Sequence, residues 1–312
     1  MTSFSTGTDR SQPARGPTLY VANFDFDDRL AKPAMTTLPK SLRQINARLA
    51  PALEGLCGPD DAVAVPGDRV EDAGRFGCVE PWGVEPHVLR WLELIGVRDE
   101  ALRTLPGPAA VRAVNGRRWQ HAAELALAPS DDHGRLIGDR PSYELASDIG
   151  HFASIYGGYV LKSEFGGSGR GVRLVCRSEA RDSFSRVMNE LENGRWLLVE
   201  PYDAADAEIS AHLTITKDAV TFDGLCSLRS TPAGQFESVE SLPDPSATLL
   251  EPRAIWEAVA ERARAEGYRG YLGIDAAVKD GRVVRAVRDV NARWTMGRVA
   301  LQTGRPVHSP MG

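Results

Sequence analysis

The chain has 312 residues, 42% of them hydrophobic and 25% charged, with a formal net charge of −5. That apolar content excludes global disorder, and no window approaches the ~18 consecutive apolar residues of a membrane span. A net negative balance argues against polyanion binding, so neither a nucleic acid nor a membrane is expected as a partner.

Dividing by about 150 residues per domain predicts two domains, or one with an elaborated insert. Cys57, Cys78, Cys176 and Cys226 are widely spaced with no CxxC pair, which argues against a zinc ribbon or a disulfide framework. Reduced thiols and an N-terminus without an apolar h-region lead us to expect a cytoplasmic protein. Lysine is confined to Lys32, Lys40, Lys162, Lys217 and Lys279, and arginine supplies the other 32 of 37 basic residues.

Residues 1–17 are poor in apolar side chains and read as a tail. Thr18 to Ala22 is a short apolar run, a first buried strand. Leu42 to Ala50 reads as a helix behind Ser41, with Pro51 ending or kinking it. Asp61 to Val65 is a second strand, and His87 to Ile95 a helix stopped by Gly96. The alternation predicts a small α/β domain over 18–104. Leu105-Pro106-Gly107-Pro108 marks a boundary to a central unit, 105–201. Here Arg117 to Leu127, Ser142 to Ile149 and Ser183 to Leu191 are predicted helices. Tyr159 to Leu161, Val172 to Val175 and Trp196 to Val199 are predicted strands.

In the last unit, 202–312, Ala211 to Thr216 and Val220 to Leu225 read as antiparallel strands. Thr231 to Thr248 reads as a long loop, and Pro252 to Glu266 as an amphipathic helix. Tyr271 to Val278 and Arg282 to Val290 flank a Lys279-Asp280-Gly281 hairpin signal.

Three segments carry chemistry. Lys162, at a strand end, precedes the glycine loop 166–171, in which Gly167, Ser168 and Gly169 offer backbone and hydroxyl donors to an anion. The lysine precedes the glycines, so this is not a Walker A loop. Second, Val199-Glu200-Pro201-Tyr202 follows an apolar strand, and Glu208 lies eight residues beyond Glu200; a strand end of this kind can present backbone groups to a purine and an acceptor to a ribose. Third, Asp289 and Asn291 are two apart on a strand and share a face, as hard oxygen ligands for Mg²⁺ would. Whether Asp275 joins them depends on the hairpin. A two-residue turn puts Asp275 and Asp289 on opposite faces, whereas a five-residue loop or a bulge lets them meet.

In this order, a strand-end lysine with a glycine loop, Glu-x-Tyr, a downstream Glu, Gly-x-Asp and acidic-x-Asn-x-Arg, the pattern resembles the ATP-grasp family over about 105–305. The nearest likeness is to the carboxylate–amine ligases that join amino acids or small peptides. The resemblance implies an α/β ATP-grasp fold behind an N-terminal α/β domain, with ATP and Mg²⁺ as cofactors and a small-molecule carboxylate and amine as substrates. It places Lys162 on the α- and β-phosphates under the 166–171 loop, Glu200 and Tyr202 at the adenine, and Glu208 at the ribose. Mg²⁺ falls to Asp275, Asp289 and Asn291, and the transferring phosphoryl group or acyl phosphate to Arg293. The second, earlier lysine of the family is missing, so Arg117 or Arg140 has to replace it. The segment 142–195 would act as a lid.

A kinase on the same scaffold and a non-catalytic nucleotide-binding domain stay open as alternatives. A homodimer is the base-rate expectation for assembly. Asp25, Asp27 and Asp28 are expected to form a solvated acidic loop. Trp82, Trp91, Trp119 and Trp256 are expected in the core, and no ligand role is expected for His87, His121 or His151.

Overall fold

The computed structural model describes residues 16–35, 37–128, 135–137, 158–166, 171–176, 197–201, 205–231 and 236–309. Within these, three sheets are built from three different sequence patterns. The first uses short strands, β1 (Thr18–Val21) and β2 (Ala62–Ala64) largely apolar and β3 (Cys78–Pro81) less so. They pair in parallel in the order β2-β1-β3, as expected of strands joined by helical crossovers. The crossover after β1 holds α1 (Phe26–Ala31), α2 (Lys40–Leu49) and α3 (Pro51–Glu54). Pro51 opens α3 at a position where its missing N–H costs nothing. After β3 comes α4 (Pro86–Leu94), whose cap is Glu85: its carboxylate accepts from the His87 and Val88 amides at 2.6 and 2.7 Å. Strand β3 was not anticipated, because Glu80 and Pro81 interrupt its apolar character.

Next, α5 (Asp99–Leu102), α6 (Pro108–Asn115) and α7 (Arg117–Leu127) lead to a four-stranded sheet. Its strands are β4 (Arg135–Ile137), β5 (Gly158–Ser163), β6 (Val172–Cys176) and β7 (Leu197–Pro201), ordered β4-β7-β5-β6 with all neighbours antiparallel.

The third sheet is six-stranded and antiparallel, ordered β12-β11-β8-β9-β10-β13. It comprises β8 (Ala207–Ile215), β9 (Val220–Ser230), β10 (Phe236–Leu242), β11 (Gly270–Lys279), β12 (Arg282–Asn291) and β13 (Val307–His308). Between β10 and β11 lie α8 (Ala247–Leu250) and α9 (Arg253–Ala265), and α10 (Met296–Thr303) follows β12. Strand β10 corrects the reading of Thr231 to Thr248 as one loop. Its polar residues mask a half-buried strand whose Val239 is buried.

One face of this sheet is apolar. Ile209, Ala211, Leu213 and Ile215 of β8 and Leu272, Ile274 and Ala276 of β11 alternate inward and pack with Trp256, Val259, Ala260 and Ala263 of α9. The other face carries the polar residues described below. Edge strand β12 meets no further strand. Asn115 Nδ2 donates to Ala292 O at 3.2 Å, and its Oδ1 accepts from Ala292 N at 3.1 Å. Gln120 does the same for Val290 O and N at 2.7 and 3.2 Å. Two side-chain amides thus satisfy the edge as a neighbouring strand would.

Candidate functional site

The polar face of the six-stranded sheet is laid out in rows by strand register. Arg285, Ala277 and Glu208 form one row, and Asp289, Asp275, Ser210 and Cys226 the next. Asn291, Gly273, His212 and Gly224 form a third. Asp275 and Asp289 are therefore direct cross-strand partners, although the hairpin turn is the two-residue Asp280-Gly281 type, with φ of 50° and 73°. The conflict is resolved inside the ladder. Val278 faces Val283 while Asp275 faces Asp289, so three steps on β11 are matched by six on β12 through two register shifts. Bulges, not loop length, bring the carboxylates to one face.

Burial and the adjacent Asp289 push the Asp275 carboxyl up to about 7, with Ser210 opposing as a hydrogen-bond donor. Asn291 Nδ2 donates to Asp275 Oδ2 at 3.2 Å, leaving the amide oxygen as a further donor atom. Among the described residues, no three His, Cys, Asp or Glu side chains converge on one point. Two carboxylates and an amide oxygen form a hard donor set, and Asp275 is raised by burial and by the second carboxylate beside it. Both fit a divalent cation of the Mg²⁺ type held jointly with substrate phosphates.

Cationic groups stand beside this set. Arg117 opens α7 and is buried, its Nη2 3.1 Å from Asp289 Oδ2 and its Nη1 buried without a hydrogen-bond partner among the described residues. Lys162 on β5 is buried, 2.6 Å from Glu200 Oε2, and donates to Arg288 O at 2.8 Å. Lys162 and Glu200 meet because Glu200 pairs with Val160, two residues along β5 from Lys162. The second oxygen of Glu200 lies 2.8 Å from Arg285, which also grips Glu124 of α7 through Nε and Nη2 at 2.7 and 2.9 Å. Burial alone would raise the Glu200 carboxyl, but Arg285 and Lys162 hold it down at about 2. The Glu200 side chain is thus committed to an ion-pair network. Glu208 pairs with Arg288 and accepts from Ser230 Oγ at 3.0 Å.

Arg293 leaves β12 toward the N-terminal unit and forks onto Asp27, with Nε and Nη2 at 3.2 and 3.1 Å from the carboxylate. Asp25 is buried, 2.6 Å from Arg29 and hydrogen-bonded to Asn46. Asp25 and Asp27 therefore correct the expectation of a solvated loop: they follow β1 at the C-terminal edge of the parallel sheet and are neutralised by Arg29 and Arg293. Trp82, Trp91 and Trp256 are buried.

Gly167, Ser168, Gly169, Tyr202 and Arg140 lie outside the described residues, as do the expected helices of 142–149 and 183–191. Lys162 and Glu200 of the four-stranded sheet meet the polar side of the six-stranded sheet through Arg288 O and Arg285, and that side carries Asp275, Asp289, Asn291 and Glu208 in adjacent rows, with Arg293 just beyond β12 at the N-terminal unit. Sequence reasoning missed Arg285 and Glu124. The available signal was a charged residue among apolar neighbours in each case, Val284-Arg285-Ala286 and Ala123-Glu124-Leu125.

No protein-family model matches the sequence, and no curated protein matches it. Solved structures do. D-cycloserine synthetase DcsG is similar over 93% of this chain and 98% of its own, at 16% identity and a TM-score of 0.57. The D-alanine–D-alanine ligase of Bacillus anthracis, solved with ATP, is similar over 92% and 96%, at 11% identity and 0.55. The biotin carboxylase domain of Hydrogenobacter thermophilus 2-oxoglutarate carboxylase, solved with MgADP and bicarbonate, is similar over 93% and 69%, at 16% identity and 0.55. With its parallel N-terminal sheet, four-stranded central sheet and six-stranded antiparallel sheet, the chain has the ATP-grasp fold.

Proposed function

We propose that the protein is an ATP-dependent carboxylate–amine ligase that forms an amide through an acyl phosphate, releasing ADP and phosphate, with amino acids or small peptides as substrates. The observation that carries the reading is Arg117 Nη1, a buried donor atom with no hydrogen-bond partner among the described residues, on a guanidinium that meets Asp289 at the start of α7. An unsatisfied buried donor of this kind is costly and is satisfied when an anion enters at a helix N-terminus. Arg117 then takes the part of the missing second lysine.

In this reading the triphosphate lies between β5 and the polar face of β11–β12. Lys162 uses two of its three ammonium protons on Glu200 and Arg288 O, which leaves one for a phosphate oxygen. Asp275, Asp289 and Asn291 would hold Mg²⁺, which neutralises phosphate charge when bound. The substrate carboxylate attacks the γ-phosphorus and ADP departs. The amine then attacks the acyl phosphate carbon, its proton is lost to solvent, and phosphate departs. Lys162, Arg117 and Arg293 position the reactants and stabilise developing negative charge, with little acid–base work. Because an acyl phosphate hydrolyses readily, the site has to exclude water during the reaction. The N-terminal unit supports this arrangement: Asp27 orients Arg293, whose guanidinium carbon lies 5.9 Å from the centre of the Trp82 ring.

The test is ADP and phosphate release from Mg-ATP with pooled amino acids and short peptides, and mass spectrometry of the products. Release that requires both an acid and an amine, with a product lighter by water than their sum, is the expected result. ADP accompanied by a phosphorylated product would instead make the protein a kinase, and nucleotide binding without turnover in any pool would favour a non-catalytic domain.

A further inference from the structure

A buried chain of alternating charge runs from α7 to Lys162. Glu124, Arg285, Glu200 and Lys162 follow one another at 2.7, 2.8 and 2.6 Å, with side chains only 6, 11, 3 and 6% exposed. Lys162 and Glu200 belong to the four-stranded sheet, Arg285 to β12 of the six-stranded sheet, and Glu124 to α7. Each link fixes the next. A lysine ammonium sits on a flexible four-carbon stem and takes its direction from its partners. Its carboxylate partner is held only if the second oxygen is also engaged, and Arg285 engages it. Arg285 in turn is locked by a two-point fork on Glu124, which is stiffened by its place in a helix.

We propose that Arg285 is a positioning residue for nucleotide binding: through Glu200 it fixes the direction of the Lys162 ammonium. This rests on the reading of Lys162 as a phosphate ligand. Arg285 acts at one remove from the ligand, so its effect should disappear when Lys162 is absent. A merely structural arginine would weaken binding equally with or without Lys162.

The experiment is a thermodynamic cycle on the full chain, with MgADP as the probe and titration calorimetry as the readout. The proteins are the parent, Lys162→Ala, Arg285→Gln and the double variant. Arg285→Gln is expected to weaken MgADP binding about tenfold in the parent and less than about twofold in the Lys162→Ala background. Arg285→Lys keeps the charge but not the fork and should fall between parent and Arg285→Gln. Glu124→Gln, which loosens the outer anchor while leaving every cation in place, serves the same cycle if Arg285→Gln does not fold. Parent-like affinity in Arg285→Gln, or an equal loss in both backgrounds, overturns the positioning role. If the parent binds MgADP and Lys162→Ala binds it at least about tenfold more weakly, the nucleotide reading stands whatever Arg285 does. If the parent itself fails to bind, that reading falls and the proposal with it.

Discussion

Asp275 faces Asp289 directly across the β11–β12 ladder, two carboxylates side by side on the polar side of the sheet. The arrangement is unfavourable: burial and Asp289 lift the Asp275 carboxyl to about 7 from an ordinary 3.8. The sign follows from linkage. Between about pH 4 and 7 the folded protein keeps a proton that the unfolded chain releases, so stability falls as pH rises through that window and stays low above it. In EDTA, Asp275→Asn should therefore gain stability relative to the parent from pH 4 to 7, with a constant difference above. Urea unfolding of both proteins across pH measures this, and a difference that does not vary with pH would refute the coupling. Mg²⁺ at pH 8 should raise the parent's Tm by about 1–2 °C for each kcal/mol of binding and leave Asp275→Asn nearly unmoved.

Lys162→Ala and Asp289→Ala should each lower ATP turnover by about 10²-fold or more while the protein stays folded. Folding survives the first because Arg285 still compensates Glu200, and the second because Asp289 is partly exposed. Circular dichroism checks the fold and ADP release the rate. Parent-like rates from either folded variant would remove these residues from the site.

Arg117→Gln should raise the KM for ATP about tenfold, since it deletes a buried cation beside the proposed phosphates. Arg117→Lys should recover most of that loss, because a point charge suffices for a phosphate even though the Nη2 contact to Asp289 is lost. Steady-state kinetics of the two variants distinguish a charge requirement from a packing requirement.

Gly297, in the first turn of α10, lies directly over His212. A Cβ there would come within 2.4 Å of the ring Nε2 and 2.8 Å of Cε1. The ring is buried and has little room to yield, so Gly297→Ala should destabilise the protein by about 1–3 kcal/mol. In a His212→Ala background the same substitution should cost much less. Denaturant unfolding of the four proteins gives both numbers.

How far the sequence reveals the molecule depends on the range of the interaction. Strands with uninterrupted apolar runs, such as Thr18 to Val21 and Tyr159 to Leu161, were legible, as was helix Arg117–Leu127, whose observed bounds coincide with those expected. Strand β10 was not, because its polar residues outnumber the buried Val239. Helix α6 announced itself only through Gly107-Pro108 and the Val111–Val114 spacing. At the site, short motifs marked Lys162, Glu200, Asp275, Asp289 and Asn291. The pairing of Asp275 with Asp289 was unreadable, because bulges have no sharp sequence signature. Arg117 on Asp289 and Arg285 on Glu124 span 172 and 161 residues, and only the tertiary fold brings such pairs together.

Three residues of α7 reach the six-stranded sheet's last strand or its neighbours: Arg117 meets Asp289, Gln120 the Val290 peptide, and Glu124 meets Arg285. Their spacing of three and four residues puts them on one helical face. The helix is thus bolted along β12 at three points, like a rail beside a track. A ligand that draws Arg117 off Asp289 cannot slide the helix without also straining the Gln120 amide and the Glu124 fork. The proposed anion contact at one end of α7 and the direction of Lys162 at the other therefore share a single rigid part, and the two ends of the proposed triphosphate site have to respond together.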